Sequence, residues 1–99
     1  MTDRFWHAVE LLSHPIRRDI LAYLDAQGGA SVSGLREGLG RPWTTIAYHL
    51  DALEESGLLT SSYEKIPHSY GHVYKVDAAK RAELLKIIRQ GIRRDMLQD

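Results

Sequence analysis

The sequence contains no cysteine, which excludes disulfide frameworks, thiolate metal sites and cysteine nucleophiles. No apolar run approaches the roughly twenty residues that a membrane helix needs. The opening "MTDRFWH" lacks the pattern of a secretory signal, so a cytoplasmic location is expected. Charge of one sign is also missing, because 13 basic and 13 acidic residues leave a formal net charge of zero. A strongly basic domain advertises a polyanionic partner; here any such partner must be met by a local arrangement of charge. There is no glycine-rich phosphate loop, nucleophile–base spacing or paired-carboxylate pattern, and no enzyme activity is expected.

What is present is an ordinary globular composition, 43% hydrophobic and 26% charged over 99 residues, enough for one modest core. Residues 1–99 read as one domain. A first helix is expected over 3–13, with Phe5, Val9 and Leu12 as an apolar stripe that Trp6 widens. A second opens at "SHPIRRDILAYLDAQGG": Ser13 or His14 can cap it, and Pro15 suits its first turn. Its buried face is Ile16, Ile20 and Leu24 with Leu21 alongside, and Gly28 and Gly29 end it. The third, in "ASVSGLREGLG", has Ser33 as its expected N-cap, Leu35 and Leu39 on one face and Gly40 past its last turn. Only Arg41 and Pro42 separate it from "TTIAYHLDALEESGLL", which reads as a fourth helix stopping at Gly57. Two short helices joined through a glycine form a helix-turn-helix signature.

After Gly57 the period changes to alternation. Leu59, Ser61 and Tyr63 precede, and residues 73–76 follow, a middle broken by Pro67, Ser69 and Gly71, so a hairpin with a loop longer than two residues is expected. A long last helix follows over 78–98, with Leu85, Ile88, Ile92 and Met96 at spacings of three and four. The fold class is therefore mainly α with a small β-hairpin, a winged helix-turn-helix. About 31–57 is the helix-turn-helix, 58–77 the two-stranded wing, and 1–13 and 78–98 are the flanking helices.

"LLSHPIRRDILAYL", "TTIAYHLDALEESGLL" and the returning strand "GHVYKV" together resemble the ArsR-type winged-helix transcriptional regulators, from about Leu11 to Val76. That resemblance implies a homodimer built by the first and last helices, the fourth helix in the DNA major groove, and repression of transcription. It does not carry over a metal site: there is no cysteine, the last helix has no histidine, and the pairs His68 with His72 and His7 with His14 each lack a third ligand. No metal or cofactor is expected, and no residue pattern identifies an effector.

At about 100° per residue, Ile46, Leu50, Leu53 and Gly57 share the core side of the fourth helix. Thr44, Tyr48, Asp51 and Glu55 lie opposite, Thr45 and Ala52 flank them, His49 lies between Thr45 and the apolar face, and Trp43 falls nearer the core. Asp51, Glu54 and Glu55 repel phosphate, so the helix is expected to enter double-stranded DNA by its N-terminal end. Thr44, Thr45 and Tyr48 then read bases, His49 touches from the flank, and Arg41 stands at the entrance. On the wing, Lys65, His68, Ser69, His72 and Lys75 are expected on the backbone or minor groove, against the single acid Glu64. His72 stands where wings of this family carry arginine or lysine, and an imidazole is mostly uncharged above about 6.5. The dimer interface is expected at Phe5, Trp6, Val9, Leu85, Ile88, Ile92 and Met96, so the DNA target is an inverted repeat. The alternative reading, favoured by neutral charge and the acidic half-helix, is a winged-helix module that binds protein and not DNA.

Overall fold

The computed structural model describes residues 3–95. Its elements are α1 (Asp3–Ser13), α2 (Pro15–Gln27), β1 (Ala30–Ser31), α3 (Val32–Leu39), α4 (Trp43–Glu55), β2 (Leu59–Ile66), β3 (Ser69–Val76) and α5 (Ala78–Asp95). Met96 and the expected last turn to residue 98 lie outside the described residues.

The helix boundaries follow the local chemistry. Pro15 opens α2 where no backbone donor is lost. α3 begins two residues earlier than expected: Ser31, not Ser33, is its N-cap, its hydroxyl accepting from the Gly34 amide at 3.2 Å. Ser31 is also the last residue of β1, so its extended backbone suits both roles. Gly40 closes α3 in the left-handed region at φ 62°, which permits the sharp turn into α4.

The sheet has the order β1-β3-β2, all antiparallel. The wing is thus not only a two-stranded hairpin, since Ala30 and Ser31 pair with Tyr74 and Val73 and tie it to α3. Register runs unbroken from Leu59 opposite Val76 to Ile66 opposite Ser69. The expected long loop is instead a two-residue turn, Pro67 and His68, with His68 at φ 69°. Ser69 and Gly71, weak strand formers singly, stay in the ladder because pairing and cross-strand packing outweigh their propensity; the Ile66 side chain lies over Gly71.

Ile20, Leu24, Leu35, Ile46, Leu50, Leu53, Leu58 and Leu59 are almost fully buried. Each such side chain contributes about 1.5–3 kcal/mol when removed from water. α1 and α5 flank this core. On α1 the buried residues are Phe5, Ala8 and Leu11; of the expected stripe, Phe5 is among them, Leu12 packs half-buried against the core and Val9 is half-buried. α1 meets α5 at a close approach, where the Phe5 ring occupies the space that a side chain at Gly91 would need. Phe5 is 3% exposed and cannot serve the intermolecular contact expected of it; it is core. α5 likewise turns Leu84 inward, while Leu85 and Ile92 face solvent. The architecture is mostly helical, a winged helix-turn-helix.

Candidate nucleic-acid interface

Pro42 is the N-cap of α4, and no side chain caps the first turn. Intrahelical bonding starts with the Ile46 amide on the Pro42 carbonyl at 3.1 Å, so helix geometry leaves the earlier amides of α4 for solvent or an anion. Thr44 and Tyr48 are exposed, as are Asp51 and Glu55 on the same side, while Ile46, Leu50 and Leu53 are buried. Thr45 is half-buried and Arg41 is exposed. The acidic half of α4 is not simply solvated: Glu54 accepts from the Ser61 hydroxyl at 2.6 Å and is held against β2. Burial first, then the charges of Glu54 and Asp51, pushes the Tyr74 phenol above its ordinary range.

Two side chains of α4 depart from the helical-wheel reading. Trp43, placed toward the core, is 52% exposed. A residue at the first helical position has no preceding turn to pack on, and it leans instead into a groove between α3 and the wing, with Glu37, Ser69, Tyr70 and His72 along the same walls. His49, expected on the flank and in contact with DNA, is 9% exposed. Its Nδ1 accepts a hydrogen bond from Nε of Arg17 at 2.9 Å. Burial first, then Arg17 and His14, lowers its pKa. A buried neutral imidazole engaged by a neighbouring helix is not available to phosphate, so His49 does not present the flank contact expected of it.

On the wing, Lys65, His68, Ser69 and His72 are all exposed. Lys75 is less free than its sequence position suggests, because its ammonium lies 3.4 Å from Glu64. A hydrogen bond from Ser62 first, then Lys75, holds the Glu64 carboxyl below the usual carboxylate range. Tyr63 and Tyr70 face each other nearly parallel, with centroids 6.0 Å apart, and His72 meets Tyr63 edge-on at 5.5 Å. The register explains this cluster, since Tyr63 opposes His72 and Lys65 opposes Tyr70, placing all four on one face. With Tyr63 68% and Tyr70 60% exposed, the wing face offers flat aromatic surface where only charge was expected.

The structure thus brings Trp43, Ser69 and His72 to one groove. Tyr48 lines a different one, with His7, Glu10, Arg17 and Glu55. Much of the basic charge is elsewhere, with Lys80, Arg81, Lys86, Arg89, Arg93 and Arg94 all on α5. Among the described residues no three histidine, aspartate or glutamate side chains gather as a metal site, and no helix is long and apolar enough to cross a membrane. Residues 12–62, just over half of the chain, match a family model described as a helix-turn-helix domain. No curated protein matches the chain.

Proposed function

This chain belongs to the helix-turn-helix domain family, and from that premise we propose that it is a sequence-specific, dimeric DNA-binding transcriptional regulator of the ArsR type, acting in the cytoplasm as a repressor. The observation that carries this reading is the start of α4: an uncapped helix end with Thr44 and Tyr48 facing outward. In the proposed complex this end enters the major groove. Thr44, Thr45 and Tyr48 meet base edges, Arg41 meets phosphate, and Trp43 leans into the groove between α3 and the wing. Lys65, His68, Ser69 and His72 hold the backbone or minor groove. The chain binds and positions; it performs no bond-making chemistry.

A second reading, a winged-helix module that binds protein, draws on Asp51 and Glu55 beside Tyr48 and on the placement of basic charge on α5. Salt separates the two. For a DNA binder, the logarithm of affinity for duplex DNA falls linearly with the logarithm of salt, at a slope near −0.9 per phosphate neutralised. Thr45→Ala and Tyr48→Ala are expected to change which duplexes are preferred, by about 1–3 kcal/mol at the affected base pair. Salt-independent binding, or variants that keep the same preference, contradicts the assignment.

A further inference from the structure

Arg17 is 3% exposed, and a buried arginine ordinarily has a carboxylate partner. Here its Nε donates to His49 Nδ1 at 2.9 Å and its Nη1 donates to the Leu11 carbonyl at 3.2 Å. The imidazole therefore carries its proton on Nε2 and presents a bare Nδ1 to a permanent cation. The bond joins α2 to the middle of α4 across 32 residues of sequence, and Tyr48 rests edge-on against the His49 ring with centroids 5.0 Å apart. The side chain that orients His49 thereby also fixes the platform on which Tyr48 stands.

We propose that Arg17 is a positioning residue for α4, acting through His49, and that the Arg17–His49 bond is a proton-sensitive latch that opens in acid. Its consequence for DNA rests on the reading of α4 as the recognition helix; the latch itself does not. A proton on Nδ1 turns the acceptor into a donor and sets two cations against each other at a largely buried contact, where water screens them less than at an open surface. Two other imidazoles and two carboxylates stand near this pair. His14, at the start of α2, lies with its ring 5.4 Å from His49, and its Nε2 is 3.1 Å from Glu10 Oε1 on α1. His7 of α1 shares the adjoining groove with Arg17, Glu10 and Glu55. Arg17 and His14 are the charges that act on His49, both opposing its protonation; neither α3 nor β2 supplies one. The folded-state pKa of His49 lies below the ordinary 6.5. The folded state thus binds fewer protons than the unfolded chain, and the stability due to the neutral pair is complete above 6.5. It is lost as pH falls below that value toward the folded pKa, by up to about tenfold in the folding equilibrium per pH unit.

The test is nitrogen NMR of the full chain from about pH 8 to about pH 5, reading the His49 ring nitrogens and amide exchange along α4. We expect Nδ1 to be unprotonated at neutral pH, a titration midpoint below the ordinary 6.5, and a loss of α4 protection of about tenfold or more as the ring titrates. His49→Gln supplies an amide oxygen for Arg17 that does not titrate, and its α4 protection is expected to hold through the same range. Should that variant fail to fold, Arg17→Met serves in its place, with the His49 midpoint moving upward. A wild-type midpoint at or above 6.5, α4 protection that stays flat while His49 titrates, or acid-sensitive protection in folded His49→Gln overturns the proposal. Binding to random-sequence duplex DNA, followed over the same range, is expected to weaken below the His49 midpoint. Absence of binding at every pH defeats the DNA reading, while the ring and exchange measurements still decide the latch.

Discussion

His68 and His72 put imidazoles on the wing, His72 where the wings of ArsR-type regulators carry arginine or lysine, while His49 lies buried beneath Tyr48. These histidines act in opposite directions. Wing imidazoles that gain a proton gain attraction for phosphate, so affinity for duplex DNA is expected to rise as pH falls from about 8 to about 6. The His68→Gln, His72→Gln double variant is expected to be flat over that interval, as fluorescence anisotropy would read. A wild-type curve that is already flat removes the wing histidines from the interface. The pKa of His49 is held below its ordinary value, by burial first and then by Arg17 and His14. Legibility at this scale depended on the neighbours a residue has in sequence. Tyr48 was readable because a turn on either side of it defines the outward face of α4, on which Thr44 also lies. Trp43 was not, because nothing precedes it in the helix. Arg17 was missed although its spacing from Leu21 and Leu24 puts it on their face of α2; its charge argued for solvent, and its partner lies in another helix.

The C-terminal ends of α2 and α3 were the most legible. Gly28 and Gly40 both cap in the left-handed region as their positions suggested, since capping chemistry is local. β1 was invisible because two residues carry no period, and the wing turn was misjudged because Ser69 and Gly71 look like breakers until paired. α1 packs against α5, and Gly91 is where they meet. Gly91→Ala gains up to about 1 kcal/mol of helix propensity but drives a methyl into the Phe5 ring, an overpacking that costs about 1–3 kcal/mol. The clash wins, and thermal unfolding is expected several degrees lower, roughly 4–8 °C for each kcal/mol lost. A melting temperature that rises shows that α1 does not lean on α5 in this way.

At the scale of the whole molecule, the longest dimension is 57 Å against 24 and 21 Å, a shape that leaves the outer side of α5 uncovered by its own chain. Trp6 at 51%, Leu85 at 46% and Ile92 at 37% exposure form the apolar surface on which the proposed two-fold contact rests. Phe5 belongs to the core, and Met96 lies beyond the described residues. Sedimentation is expected to give a dimer at micromolar concentration, and Leu85→Glu a folded monomer, because Leu85 has little packing within the chain to lose. A wild-type monomer contradicts the two-fold assembly. Two reading helices held by that contact would lie about one DNA turn apart, roughly 34 Å, so fold, assembly and recognition meet in one property of the target. Selection of genomic fragments by the purified full chain tests this most directly. The account predicts enrichment of an inverted repeat with half-sites about one turn apart; recovery of fragments sharing no such repeat would contradict it.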